Sequence, residues 1–326
     1  MIYQLNLENN VIIIKQSKIR ENNKQLKKLS RILKLSERVL FIPNLRSSFC
    51  SDVILLLFLR LFSLKRVNVL GVGEVSSQVG LNYIDNIKYN KYFVLDDGFN
   101  SVIVQSYIIK GINLYDVTKE SKKYRKRINL IIRILLLKKT SLNKVTWFSC
   151  FNMTPVYGQE IIKNNFLNVK ISLSENDIQD ISEEKNVYYL GAPLSLLHSP
   201  YLTLDQELCL IGGLKKYLES RNKRLIYCIH RRESLEKINI IKERLGELEL
   251  RHSVYPVELD FYMTKTPVAE IEGIISTALI TLNNIYNVRN TYLINCGYMI
   301  NESKREAFVK IRNELERNLD NITNIN

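Results

Sequence analysis

Residues 91–98 read KYFVLDDG, an apolar run that ends in two acidic residues and a glycine. Similar short apolar runs recur along the chain, separated by longer stretches with helical periodicity. This alternation is typical of βαβ units and predicts an α/β protein with parallel sheets. The other runs are VLFIP at 39–43, VNVLGVG at 67–73, VTWFSCF at 145–151, VYYLGAP at 187–193, RLIYCIH at 224–230 and GIISTALITL at 273–282.

The runs form two series, and a polar, acidic stretch at 172–186 separates them. A chain of 326 residues fits two domains of ordinary size. We predict an N-terminal domain at 1–180 and a C-terminal domain at 181–303. Residues 304–318 have apolar positions at helical spacing, so we assign 304–326 to a terminal helix that packs across a domain face.

The net charge of +14 favours polyanionic partners or an anionic membrane surface. Nucleic acid is not the expected partner, because the chain has no zinc-finger spacing, RNA-recognition aromatic motif or basic region with heptads. The five cysteines form no CxxC pair, so we expect neither a zinc site nor a disulfide framework. The first residues do not match a signal peptide, which predicts a cytoplasmic protein.

Two apolar segments raise the question of membrane contact. Residues 53–62 (VILLLFLRLF) include Arg60 and reach about half of the roughly 20 residues that span a bilayer, so we predict a buried helix. Residues 119–139 join a basic stretch to an apolar one and allow two interpretations. The favoured one is a core-facing helix with the aliphatics at 134–137 buried; the other is peripheral contact with the inner face of the cell membrane.

Two candidate sites follow predicted strands. Asp96, Asp97 and Gly98 come where open α/β sheets place ligand-binding loops. A buried carboxylate there, with a raised pKa, can take a proton from a hydroxyl, although Asp-Asp-Gly is also a good turn. His230 and Arg231 lie at a strand-to-helix turn suited to a phosphate. The alternative for His230 is a surface histidine without a functional role.

Two further candidates lie in the second half of the chain. Ser276 and Thr277 precede a helical pattern, where hydroxyls and free N–H groups bind phosphate, although both residue types are also ordinary N-caps. Glu258, in YPVEL at 255–259, follows a predicted short strand, where a carboxylate could accept both hydroxyls of a ribose. A structural role is the commoner one for such an acidic residue.

In their order along the chain, Asp96-Asp97-Gly98, His230, Glu258 and Ser276-Thr277 resemble the motifs of glycosyltransferase family 52, which includes bacterial lipooligosaccharide and capsular polysaccharide sialyltransferases. The segment YLGAPL at 189–194 is similar to the short stretch that opens the family's second domain, and the resemblance covers roughly residues 65 to 280. It implies the GT-B architecture, in which two Rossmann-like domains face a central cleft.

The resemblance also implies a reaction. An inverting sialyltransferase moves sialic acid from CMP-sialic acid to a galactose-type hydroxyl of a bacterial capsular polysaccharide or lipooligosaccharide, and we expect the acceptor glycan to be lipid-linked. Asp96 would be the base, and His230, Ser276 and Thr277 would receive the phosphate without a metal or other cofactor. Glu258 would hold the ribose, with Asp97, Gly98 and Arg231 as further site residues.

The chain departs from the family pattern in two places. The family's His-Pro is His230-Arg231 here, and the N-terminus lacks the expected apolar strand and turn, so we expect the first βα unit to be shortened or replaced. Two alternatives stay open: a GT-B enzyme with another nucleotide-sugar donor, such as a glucosyltransferase, and a basic module that binds nucleic acid or a membrane.

Overall fold

The computed structural model describes residues 12–15, 24, 27, 39–42, 48–64, 66–73, 75–96, 98–118, 121–138, 145–155, 158–166, 185–195, 200–253, 255–286 and 288–325. The chain divides into two compact units, Met1–Asn164 and Asn165–Asn326. This division precedes the boundary at 180/181 that we placed from the sequence. Residues 167–184, which contain most of the acidic stretch, lie outside the described ranges.

The first unit alternates strands and helices, and each described strand pair is parallel. Its elements are β1 (Ile12–Lys15), β2 (Val39–Ile42), α1 (Ser48–Phe62), β3 (Arg66–Val72), α2 (Gln78–Asn86), β4 (Lys88–Leu95), α3 (Phe99–Ile109), α4 (Lys122–Ile134), β5 (Val145–Ser149) and β6 (Gln159–Lys163). Four strands form one sheet in the order β3-β4-β5-β6, and β1 pairs with β2 in a separate sheet. Parallel strands place all their carboxyl ends at one edge, so the residue after β4, Asp96, lies at the same edge as the residue after β5, Cys150.

The second unit has the same alternation over a larger parallel sheet. Its elements are β7 (Asn186–Leu190), α5 (Leu204–Glu219), β8 (Arg224–Ile229), α6 (Leu235–Leu245), β9 (Glu249–His252), α7 (Val257–Met263), β10 (Glu270–Gly273), α8 (Thr277–Ile285), β11 (Asn290–Ile294), α9 (Glu302–Asn318) and β12 (Ile322–Ile325). The strand order is β12-β11-β10-β7-β8-β9. Counted from β7, this is the 3-2-1-4-5-6 order of the doubly wound Rossmann sheet.

Strands β7 and β8 of the second sheet appear in the sequence as continuous apolar runs because they are buried. Strand β7 (NVYYL) is buried from Val187 onwards, and the middle of β8 is equally buried, because helices cover both faces of a parallel sheet. Helix α5 begins with a capping box, in which the Thr203 hydroxyl and the Gln206 side chain each accept a hydrogen bond from the other residue's backbone N–H. These local signals agree with the fold, and the prediction of an α/β protein with parallel sheets is confirmed.

Several predictions at the level of single elements are wrong. Ile12–Lys15 form a strand, so the N-terminal segment does not lack one. The run at 273–282, which we grouped with the strands, is not one: β10 ends at Gly273, and α8 begins at Thr277, as expected for a helix opened by Ser276 and Thr277. The helical pattern at 304–318 is confirmed by α9, but the terminal segment to 326 is not helical throughout, because β12 follows and extends the sheet beside β11.

The helix at 53–62 is not fully buried either. Leu56 and Leu59 of α1 are inaccessible to solvent, but Leu61 is 67% exposed. At the end of α4 and just after it, Leu137 is buried, whereas Ile134 and Leu136 are exposed, so the four aliphatics at 134–137 are not a buried block. Among the described residues, no helix is both long enough and apolar enough to cross a membrane.

Candidate functional site

The second unit gathers its candidate residues at the carboxyl edge of its sheet. In a doubly wound sheet, ligands bind outside the strand ends where the strand order reverses. Here the reversal lies between β7 and β10, with β8 on the other side of β7. His230 follows β8 and Ser276 follows β10, so about two strand spacings, roughly 10 Å, separate the ends of their strands.

His230 is held through its backbone and one ring nitrogen. Its N–H donates to Oε2 of Glu233 over 2.8 Å, and the Arg232 N–H donates to Nδ1 of the ring over 3.1 Å. The second contact assigns the ring proton to Nε2. Burial, and then the positive charges of Arg231, Arg232 and Lys237, lower the pKa of His230 to about 4. The ring is therefore neutral at pH 7 and can donate from Nε2 to an anionic oxygen.

A buried ion network secures the turn that carries His230. Lys237 Nζ lies 2.6 Å from Oε1 of Glu207 and 2.6 Å from Oε1 of Glu233, and all three side chains are at most 1% exposed. The same ammonium donates to the Ala192 carbonyl over 3.1 Å, and the Tyr227 hydroxyl donates to Glu233 over 2.6 Å. These groups come from α5, α6, β8 and the segment after β7. The network therefore fixes the His230 backbone against the end of the sheet.

Gly191 has a specific steric role in this network. A Cβ atom at this position would lie 2.7 Å from the Cys228 carbonyl oxygen and 2.7 Å from Oε2 of Glu233. Real Cβ atoms do not approach so closely, so a larger residue would displace β8 or the carboxylate that holds His230. The glycine in the YLGAPL segment is thus required for the His230 turn to pack against β7.

Ser276 and Thr277 form the start of α8. Ser276 is the N-cap, and its Oγ accepts a hydrogen bond from the Ala278 N–H over 3.3 Å. Its hydroxyl proton stays available to a ligand, because the oxygen acts only as an acceptor in this cap. The first N–H groups of a helix lack intrahelical partners and carry partial positive charge. This end of α8 can therefore receive an anionic group, in the way we predicted for a phosphate.

Glu258 is tied to the same helix. In the first turn of α7, its Oε1 accepts a hydrogen bond from the Thr281 hydroxyl over 2.5 Å, and its carbonyl accepts one from the Tyr286 hydroxyl over 2.7 Å. Thr281 lies one turn after Thr277 in α8. The structure thus brings Glu258 together with the Ser276-Thr277 helix, and its second carboxylate oxygen can accept a hydroxyl.

Asp96 lies in the first unit, directly after β4. Its Oδ2 accepts a hydrogen bond from the Cys150 N–H over 2.6 Å, whereas its Oδ1 is buried and has no hydrogen-bond partner among the described residues. Burial raises the pKa of Asp96, and hydrogen bonds from Ser149 and Cys150 and the charge of Lys163 offset part of that rise. One oxygen therefore fixes the carboxylate, and the other is free to accept a proton.

The surroundings of Asp96 include residues that the sequence did not single out. Lys163, at the end of β6, donates to the Cys150 carbonyl over 2.7 Å and to Oδ1 of Asn152 over 2.5 Å. Gly98 has φ +60° and ψ −149° at the N-cap of α3, a conformation open essentially to glycine alone. Asp97 lies outside the described residues.

The structure brings some predicted residues together and leaves others apart. His230, Glu258, Ser276 and Thr277 share the carboxyl edge of one sheet, and Arg231 is exposed in the turn after β8. Asp96 and Gly98 belong to the other unit. Within the described part of the chain, no group of three or more His, Cys, Asp and Glu side chains is arranged to hold a metal ion.

Sequence reasoning missed the ion network and Thr281. Glu207 and Lys237 interrupt the apolar faces of α5 and α6, and this break in the pattern was the available signal. No protein-family model matches the chain, and no curated protein matches it.

Proposed function

We propose that this chain is an inverting sialyltransferase of the GT-B type, which transfers sialic acid from CMP-sialic acid to a galactose-type hydroxyl of a bacterial capsular polysaccharide or lipooligosaccharide. In this proposal the two units are the acceptor-side and donor-side domains. The enzyme works in the cytoplasm on a glycan that is built on a lipid carrier.

The observation that carries the proposal is the group of polar residues at the switch point of the second sheet. A neutral His230 with a donor Nε2, the Ser276 cap and the first N–H groups of α8 suit a phosphate. Glu258, tied to α8 through Thr281, offers an acceptor for ribose hydroxyls. Phosphate and ribose together specify a nucleotide, and CMP is the one that the resemblance of the motifs implies.

Asp96 supports the group-transfer step. In the proposed reaction, the acceptor hydroxyl attacks the anomeric carbon of sialic acid and gives its proton to Asp96. The bond from that carbon to the phosphate oxygen breaks with inversion, and CMP leaves with the electron pair. A raised pKa makes Asp96 a stronger base than an exposed carboxylate, and a positioned base contributes roughly 10²–10⁴-fold in rate.

In this scheme, His230, Ser276 and Thr277 stabilise the negative charge that develops on the departing CMP. Preorganised donors of this kind each contribute on the order of 10²–10³-fold. Because these groups stabilise the leaving phosphate themselves, we expect the reaction to need no metal ion. Activity should therefore persist when a chelator is present.

A comparison of donors tests the proposal. Purified full-length protein is incubated with CMP-sialic acid or with UDP-glucose, with and without a galactose-terminated oligosaccharide, and free CMP or UDP is quantified. We expect release of CMP that the acceptor accelerates and that EDTA does not change. Release of UDP from UDP-glucose instead would assign the chain to glucosyl transfer, and release of neither nucleotide would reject a transferase of either kind.

A further inference from the structure

Helices α1 and α4 of the first unit, together with the residues directly after each helix, present large aliphatic side chains to solvent. Their exposed fractions run from 47% for Leu57 to 78% for Leu136. Scattered single exposed leucines are normal on protein surfaces, but a group on neighbouring helices indicates an interaction surface. We call this group the α1–α4 face, and it comprises Leu57, Leu61, Leu64, Leu130, Ile134 and Leu136.

The two helices contact each other through the sides that do not carry the exposed aliphatics. Phe49 and Tyr124, in the first turns of α1 and α4, make an edge-to-face contact with centroids 5.9 Å apart, and the Tyr124 hydroxyl donates to Asp52. Leu56, Leu59 and Ile128 share one buried cluster behind them. The same cluster takes in Leu59 and Ile132 from the later turns of α1 and α4, so the two helices lie side by side beyond their first turns.

The charge on these helices has one sign. Helix α4 (KKYRKRINLIIRI) contains no acidic residue, and the one acidic residue of α1, Asp52, is buried. Lys122, Lys123, Lys126 and Arg127 are exposed in the first half of α4. Exposed Arg60 and Arg133 stand beside the aliphatics of the face.

We propose that the α1–α4 face binds the interface of an anionic phospholipid bilayer. Exposed aliphatics that enter the boundary between headgroups and acyl chains, flanked by cations that meet anionic headgroups, match the chemistry of an interfacial helix. A second copy of the chain would bring the same cations together, and these repel one another. A nucleic acid would attract the cations but would leave the leucines in water. The bilayer satisfies both parts of the face.

Vesicle sedimentation with the full-length protein tests this proposal without any sugar substrate, so its outcome is independent of the sialyltransferase reaction. The vesicles contain phosphatidylcholine alone or phosphatidylcholine with phosphatidylserine. We expect sedimentation with the anionic vesicles and little with the neutral ones. The triple variant Lys122→Gln, Lys123→Gln, Lys126→Gln should bind about a hundredfold more weakly, at about fivefold for each lost cation.

The apolar half of the face has its own variant. Leu61→Ser, Leu130→Ser and Ile134→Ser together should weaken vesicle binding at least about tenfold while the thermal unfolding midpoint stays unchanged, since all three side chains are exposed. The variant of the α4 cations leaves Arg125 unchanged, because its guanidinium donates to the Asp116 carbonyl. The matched control changes Lys216, Lys242 and Arg305, exposed cations of the second unit, to Gln and should bind within twofold of the unaltered protein.

Three results would overturn the proposal: no sedimentation of the unaltered protein with anionic vesicles, equal losses in the control and the α4 variant, or full binding by the apolar variant. Binding to a labelled single-stranded RNA could give a fourth result that overturns it. Tighter binding to the RNA than to vesicles, lost with the α4 cations but retained by the apolar variant, would assign the face to nucleic acid.

Discussion

The His230 turn of the second unit and the Asp96 carboxylate of the first unit both follow parallel strands, but the protein holds them differently. A buried ion network of Lys237, Glu207 and Glu233 fixes the His230 backbone. Asp96 is held by hydrogen bonds from Ser149 and the Cys150 N–H, and its Oδ1 is buried without a described partner.

The difference matches two kinds of task. A phosphate site works best when its donors are preorganised, since they then lose no free energy in reorienting during the reaction. A general base needs an oxygen that is still able to accept a proton. In the proposed reaction, the second unit would be a rigid binding platform, and the first unit would supply the base. Each of the following predictions separates these two roles.

Removal of the base should have the largest effect. Asp96→Asn is expected to lower the transfer rate by at least about 10²-fold while CMP affinity changes by no more than a few-fold, because the amide cannot take the proton. Steady-state kinetics and calorimetric CMP titration measure the two effects. Asp97→Asn is the control and should be milder. Retention of more than about a tenth of the rate by Asp96→Asn would place the base elsewhere.

Loss of the buried cation should mainly affect stability. Lys237→Met leaves the carboxylates of Glu207 and Glu233 buried without their ammonium, which should lower the free energy of unfolding by about 3–5 kcal/mol. Urea unfolding measures this loss, and CMP affinity should fall with it because the His230 turn loses its support. Lys310→Met removes the exposed ion pair with Glu306 and should cost less than about 1 kcal/mol. Similar losses in both variants would contradict the structural role of the network.

The His230 side chain should affect donor binding and turnover together. His230→Ala is expected to reduce turnover on the order of 10²-fold and to weaken CMP binding, whereas the exposed His252→Ala should change neither. Because the pKa of His230 in the free protein is about 4, the ring stays neutral from about pH 5.5 to 8. An ordinary histidine, with a pKa of about 6.5, would change its charge within this range. An NMR titration of the protein without CMP should therefore show no change in the charge of the His230 ring near pH 6.5. Identical behaviour of the two histidine variants would remove His230 from the site.

The effect of replacing Glu272 should depend on pH in its size but not in its sign. This residue of β10 is fully buried, neither carboxyl oxygen has a hydrogen-bond partner among the described residues, and burial raises its pKa well above the ordinary value. The unfolded chain releases this proton near pH 4.3, so the free energy of unfolding should decrease as pH rises from there toward the folded-state pKa.

Glu272→Gln abolishes that dependence. The variant should match the unaltered protein below about pH 4 and become more stable than it as pH rises, which urea unfolding across pH measures. Glu270→Gln, two residues earlier in the strand, provides the contrast, since it loses the ion pair with Lys223 and should be less stable. A Glu272→Gln variant that loses stability at pH 7 would mean that the carboxyl group has a structural partner.

The sequence predicted the parallel α/β architecture because buried parallel strands are continuous apolar runs, as in β7 and β8. It failed for β10, since Glu270 and Glu272 make that strand look polar, and the apolar run that follows belongs to α8. Hydrophobic periodicity cannot recognise a strand whose buried positions carry carboxyl groups, one paired with Lys223 and one without a described partner.

The sequence predicted which polar residues follow the strands, but it did not predict the residues that hold those side chains in place. Glu233, Lys237 and Thr281 act through contacts that join different elements, and no local pattern encodes which helix lies beside which strand end. Asp96 and His230 were found because a strand followed by a polar residue is a local signal. The exposed side of α1 was missed for a related reason, since an all-apolar helix does not reveal which face is covered.

The most direct test of the account is the product of one reaction. CMP-sialic acid and a galactose-terminated oligosaccharide are incubated with the full-length protein, with His230→Ala or with Asp96→Asn, and the oligosaccharide is analysed by mass spectrometry. We predict the mass of one added sialic acid with the unaltered protein, a much smaller fraction with His230→Ala and almost none with Asp96→Asn. An unmodified oligosaccharide in all three reactions, across a panel of such acceptors and with CMP-sialic acid left intact, would contradict sialyl transfer.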